Sequence, residues 1–173
     1  ARNWFWIKSF VLKDRESFQR DFLTEIDFVL FTEQCIYLFE CKSYAGNKQL
    51  IGNGTIVRDK GNSFDVYKQS KLHLQVFENW FNAFTEANKI PVYQMCLFNV
   101  SNGDLVDKRT RASRLELPCL GIDNVLTYIH SQTSQDIVWD LNTAAQAAEL
   151  LKTKQDIWHK DHLRYVTALH GGR

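Results

Sequence analysis

The stretch Glu25–Gly46, EIDFVLFTEQCIYLFECKSYAG, constrains this chain more than any other. Two apolar runs, Ile26–Phe31 and Cys35–Phe39, flank the polar break Thr32–Glu33–Gln34. Runs of this kind around a turn predict a β-hairpin. The outer ends of the hairpin carry Glu25, Asp27, Glu40 and Lys42, and charges at the ends of apolar strands are poor packing material. With Glu33–Gln34 as a two-residue turn closing Thr32 on Cys35, Asp27 falls opposite Glu40 and Glu25 opposite Lys42. Glu-Gln is not a favoured tight-turn pair. Opposed residues share a face, and so do residues two apart on one strand. This register gathers three acidic groups and one ammonium in one place, and a one-residue slip would scatter them.

Facing carboxylates repel unless something positive lies between them. A divalent cation is the natural filler, and oxygen ligands favour Mg²⁺, Mn²⁺ or Ca²⁺ over zinc. Lys42 beside such a cation suits an anionic substrate or an attacking water. An ordinary pair of cross-strand salt bridges at a sheet edge gives the same spacing, so spacing alone leaves both readings open.

The pattern Asp27, twelve residues, then Glu40-x-Lys42 resembles the PD-(D/E)xK nuclease superfamily. More narrowly, EIDFVL…FECKSYAG resembles the nuclease-related domain family, NERD. Glu25, Ile26, Asp27, Glu40, Lys42, Tyr44 and Gly46 fall on its pattern, and Cys35 stands where its hairpin usually has a glycine. The resemblance implies an α/β fold, a mixed β-sheet flanked by helices. It implies cleavage of DNA phosphodiester bonds with Mg²⁺ or Mn²⁺ as cofactor, DNA being the partner. Asp27 and Glu40 would hold the metal, with the Cys41 backbone carbonyl a third ligand. Lys42 would orient and help deprotonate the attacking water, and Glu25 would tune Lys42 or add an outer contact. The family has a glutamine in the helix after the hairpin, usually three residues after a proline. Here that glutamine is Gln69, with Val66 in place of the proline. A helix bearing an acidic residue usually precedes the first strand of the family. This chain begins with strand-like residues, so that helix is expected to be absent or to lie upstream of Ala1. The alternative function keeps the fold as a catalytically silent module docking nucleic acid or protein within a larger DNA-processing assembly.

At 173 residues the chain is expected to be a single domain, with a core over about residues 4–130 and a helical extension over about residues 140–170. Hydrophobic residues at 45% and aromatic residues at 13% place it among globular proteins rather than disordered ones. No apolar run approaches the ~20 residues of a membrane span, and no secretory signal is visible. Cys35, Cys41, Cys96 and Cys119 have no CxxC spacing, which argues against zinc and against a disulfide framework and suits a reducing, cytoplasmic setting. The net charge of +1 requires any nucleic-acid contact to come from a local patch.

In chain order, residues 4–12 predict a first strand and residues 13–24 a polar connector. Strands apolar on both faces predict a sheet covered from two sides. Residues 47–63, rich in Gly and Asn, predict a loop or small edge hairpin with a short strand at Thr55–Val57. Asp65 is a candidate N-cap for a helix over about residues 66–87. There Val66, Gln69, His73, Phe77, Trp80, Phe81 and Phe84 follow helical spacing, packing the aromatic end on the sheet and leaving Gln69 near the site. Lys68 and Lys71 are either phosphate contacts or solvated charges. Residues 90–100 predict a central strand with Pro91 at its start. Residues 107–114, DKRTRASR, are the dense basic run, and Lys108, Arg109, Arg111 and Arg114 are either a phosphate-binding patch or a solvated loop. A short helix is expected over residues 121–130, begun at Asp123. A long one is expected over residues 142–169, capped by Asp140 or Asn142. His159, His162 and His170 read as surface or packing residues.

Overall fold

The computed structural model describes residues 4–14, 22–84, 90–99, 103–132, 136–137, 140–153 and 155. Among them are strands β1 (Phe5–Asp14), β2 (Phe22–Phe31), β3 (Ile36–Lys42), β4 (Lys48–Ile51), β5 (Thr55–Arg58) and β6 (Phe64–Asp65), then helix α1 (Val66–Phe84). Strands β7 (Val92–Phe98) and β8 (Leu105–Asp107), helix α2 (Arg111–Glu116) and strand β9 (Cys119–Gly121) follow, then helices α3 (Val125–Gln132) and α4 (Leu141–Thr153).

The expected hairpin is β2–β3, and its rungs Phe28↔Phe39, Val29↔Leu38, Leu30↔Tyr37 and Phe31↔Ile36 have the expected register. Thr32 explains why Glu-Gln can occupy the turn. Its N–H donates to the Cys35 carbonyl at 3.0 Å, and its hydroxyl accepts from the Gln34 and Cys35 N–H groups. A side chain thus supplies the turn bonding that glycine-rich turns obtain from backbone geometry.

The hairpin is part of a mixed sheet ordered β1-β2-β3-β7-β9, in which β1 and β2 run antiparallel and β7 and β9 run parallel to β3. Both faces are covered. Ile36, Leu38, Val29 and Phe31 meet Val76, Phe77 and Phe81 of α1 and the small residues Ala144, Ala147 and Ala148 of α4. Tyr37, Phe39, Met95 and Leu97 face the other way, against Ile129 of α3. Phe77 and Phe81 stack at 5.7 Å between ring centroids, and truncating such a buried ring costs about 3–5 kcal/mol. Gln155 docks beside β1. Its Oε1 accepts from Val11 N–H at 2.7 Å and its Nε2 donates to Val11 O at 3.2 Å, which covers part of an otherwise open strand edge.

The segment expected as a loop or edge hairpin belongs instead to a second sheet, ordered β6-β5-β4-β8. The signal was period two: buried Lys48, Leu50 and Ile56 alternate with exposed Gln49 and Val57. Leu50 and Ile56 pack with Val66, Cys96, Phe98 and Leu117, so the second sheet closes over the end of the first. The connector expected over residues 13–24 is shorter, because β1 and β2 continue pairing out to Asp14↔Phe22. The basic run leads into α2, capped by the Thr110 hydroxyl accepting from Ser113 N–H. α4 begins at the expected cap, with Asp140 Oδ1 accepting from Asn142 N–H at 3.0 Å. Trp158, Tyr165 and Leu169, expected in the long helix, and His159, His162 and His170 lie outside the described residues.

Candidate active site

The chemistry-bearing residues meet where β2 and β3 part. The β2–β3 rungs end at Phe28↔Phe39, so Asp27 and Glu40 are not the ladder pair that register alone predicts, and neither are Glu25 and Lys42. Asp27 replaces the missing rung. Its Oδ2 accepts the Cys41 backbone N–H at 2.7 Å. A dislocation in β2 accompanies this arrangement. Ile26 and Val29, three apart, lie in the same core, which strict alternation forbids. Opposite Asp27, the rung to Ser9 is missing from β1, and Ser9 has φ 49°. A non-glycine residue in the left-handed region marks local strain, and such strain concentrates at functional sites. Glu25 lies exposed on β2, opposite Val11 of β1.

Glu40 and Lys42 project from one face of β3 toward α1. Lys42 Nζ donates to Glu40 Oε1 at 2.6 Å and to Gln69 Oε1 at 2.9 Å, and lies 4.5 Å from the centre of the Phe64 ring of β6. Two hydrogen bonds and a cation–π contact fix the ammonium. The position of Gln69 follows from how α1 is seated. Asp65 caps the helix as expected, its Oδ1 accepting from Lys68 N–H at 2.9 Å. The Gly54 carbonyl accepts from Val66 N–H at 3.0 Å. A Cβ on Gly54 would come within 2.9 Å of Tyr67 Cβ, so only glycine lets the turn approach the helix this closely.

His73, one helical turn beyond Gln69, is the site residue that sequence reasoning missed. It is buried, with Nδ1 3.3 Å from Glu40 Oε2. The two lie within ion-pair distance, and among the described residues no hydrogen bond of good geometry reaches the buried Oε2. The signal was the i, i+4 spacing of Gln69 and His73, which puts two polar groups on one helical face.

The carboxylates feel one another. Burial raises the Asp27 carboxyl above its usual range; the Cys41 N–H works against this and the charge of Glu40 adds to it. Burial also pushes Glu40 up, but His73 and the Lys42 ammonium outweigh it and hold that carboxyl below its usual range. Desolvation and the charges of Asp27 and Glu40 lift the Cys41 thiol to about 11. All four cysteines are free thiols.

The donor set can be tested against a divalent cation. Among the described residues no group of three or more His, Cys, Asp or Glu side chains is arranged to hold a metal. Two carboxylates that feel each other's charge, one with a buried oxygen that no hydrogen bond reaches among the described residues, fit a small hard cation that keeps several waters. They do not fit an all-protein cage.

The basic residues separate into three kinds. Lys68, Lys108, Arg111 and Arg114 are exposed. Lys71 pairs with Glu116 at 2.6 Å. Arg109 is buried. It forms a two-pronged pair with Asp107 and donates from Nη1 to the Leu117 carbonyl at 2.8 Å. That position removes Arg109 from the expected phosphate contacts.

An α/β fold of mixed sheets flanked by helices, with Asp27, Glu40 and Lys42 gathered at a strand divergence, defines a nuclease-like domain. The model of the nuclease-related domain family, NERD, matches residues 1–99, and the chain belongs to that family. The match ends just after β7, so β8, β9 and α2–α4 lie beyond it. No curated protein and no solved structure matches the chain. Among the described residues no helix is long and apolar enough to cross a membrane.

Proposed function

We propose that this domain is a metal-dependent nuclease acting on DNA phosphodiester bonds in a reducing, cytoplasmic setting. The observation that supports the reading is the Lys42 ammonium locked between Glu40 and Gln69, beside a buried Glu40 oxygen that no hydrogen bond of good geometry reaches among the described residues. Asp27 and Glu40 would hold Mg²⁺ or Mn²⁺, with the Cys41 carbonyl as a further ligand. When bound, that cation supplies charge neutralisation at the phosphate and a more acidic water. Lys42 orients the attacking water and stabilises charge developing on the phosphate. Gln69 fixes the ammonium, and Glu25 supplies an outer contact. Lys68, Lys71, Lys108, Arg111 and Arg114 supply phosphate contacts.

The test uses plasmid and single-stranded DNA with Mg²⁺, Mn²⁺ or EDTA, together with two variants. Glu40→Gln removes a ligand charge while nearly preserving shape, so metal affinity and cleavage collapse together. Lys42→Ala keeps metal affinity, or strengthens it, while cleavage falls by about 10²–10⁴-fold. DNA binding survives in Lys42→Ala, because distributed phosphate contacts supply most of it. Binding without cleavage in every metal would replace this reading with that of a silent docking module.

A further inference from the structure

A second opening lies on the α3 side of the five-stranded sheet. It is a groove of about 640 Å³, within the ~300–1,000 Å³ of ordinary ligand sites. Trp6 of β1 forms one wall, Ile122 and Leu126 form the other, and Phe28 and Phe39 line it between them. These walls are not hidden: Trp6 is 57% exposed and Leu126 58%. Trp6 stacks on Phe28 at 5.3 Å with 24° between the ring planes, so the indole is held flat while much of it faces solvent. The exposed Lys8 lies in the lining. Asp27 and Cys41 also border the groove, so it meets the candidate active site at Asp27, on the sheet face opposite Glu40 and Lys42.

We infer that this groove is a stacking subsite for an unpaired nucleobase, so that the preferred substrate of the nuclease is single-stranded or locally opened DNA. The inference rests on the nuclease reading and sharpens it. A nucleobase is flat, apolar on its faces and polar on its edges, which matches an immobilised indole facing an aliphatic wall. A base inside a duplex is already stacked and paired and cannot enter. Lys8 offers a cation to the adjoining phosphate. A strand crossing Asp27 at the bond to be cut places a neighbouring base at the groove. Stacking of this kind is tolerant of sequence, so the subsite selects strandedness rather than base identity.

The experiment measures binding in EDTA, so it does not depend on cleavage. The full chain is titrated with a short fluorescent single-stranded oligonucleotide and with the same sequence as a blunt duplex. The single strand binds more tightly. Trp6→Ala weakens single-strand binding about tenfold and leaves duplex binding unchanged, while Trp6→Phe keeps most of the affinity. Leu126→Asp on the opposite wall gives a comparable loss, and it decides the matter if Trp6→Ala does not fold. Folded variants that bind the single strand like the parent overturn the proposal. An equal loss on duplex overturns it too, as does a Trp6→Ala variant that changes the mass in sedimentation, since the groove would then belong to a second copy. If Trp6-dependent binding stands without cleavage in any metal, the nuclease reading falls and the groove survives. Metal-dependent cleavage of single strands with full activity in Trp6→Ala sinks the groove alone.

Discussion

Arg109 and Lys42 each sit against a carboxylate, one beside the second sheet and one where β2 and β3 diverge. Around Arg109 every guanidinium nitrogen has a partner. Nε and Nη2 hold Asp107 at 2.9 and 2.8 Å, and Nη1 faces the carbonyls of Leu117, Ser113 and Asn53. Around Lys42 the account stays open, because among the described residues no hydrogen bond of good geometry reaches the buried Glu40 Oε2, with His73 Nδ1 3.3 Å from it. A closed network holds structure together. An open one in the same fold retains capacity for a ligand. The difference separates a cation that stabilises from a cation that acts, although both look alike in the sequence.

Arg109→Ala takes the guanidinium away from Asp107 and from the Leu117 carbonyl, and unfolding stability should drop by about 3–5 kcal/mol, read from urea denaturation by tryptophan fluorescence. Lys42→Ala, by contrast, should show its main effect in the cleavage rate, with a much smaller displacement of the same urea midpoint. Equal midpoint losses in the two variants would erase the distinction between the clusters.

Acid sharpens it further. Burial raises the Asp107 carboxyl, but the hydrogen bonds and charge of Arg109 outweigh it and hold it below the usual range. Glu40 is depressed as well. Both contributions are complete above the ordinary carboxylate values near ~4 and are lost as the pH falls through the lower folded-state values. Asp27 is raised, so its penalty is relieved as it becomes protonated, above the ordinary Asp value. Urea midpoints between about pH 3 and about pH 6 should therefore fall most steeply at the acid end. Asp107→Asn should flatten that fall while lowering stability at neutral pH. An unchanged acid limb would show that the Arg109 cluster contributes nothing there.

The smallest effect concerns the exposed cations near Arg109. The double reversal Arg111→Glu, Arg114→Glu should weaken DNA binding and make it less dependent on salt, while leaving stability within about 0.5 kcal/mol. Unchanged affinity and salt slope would remove α2 from the footprint.

The hairpin register was legible because alternation and turn length act locally. The loss of its outer rungs was not, because it depends on where the Asp27 side chain finds a donor. Gln69 was singled out through family resemblance, whereas His73 was read only as one member of the same helical stripe. Arg109 misled because four cations in eight residues look like a surface patch. Its partners include the carbonyl of Asn53, 56 residues away, brought close by a second sheet whose glycine-rich turns masked its alternation.

Cys41 N–H donates to a carboxylate where its neighbours along β3 donate to backbone carbonyls. Its proton chemical shift and its exchange with solvent deuterium therefore follow the charge on Asp27. One resonance in an amide NMR spectrum becomes a gauge of the site, readable without any substrate. A cation that draws on the Asp27 carboxylate should displace that peak, and neutralising the side chain should expose the amide to exchange. The bond that completes the sheet is thus also its reporter.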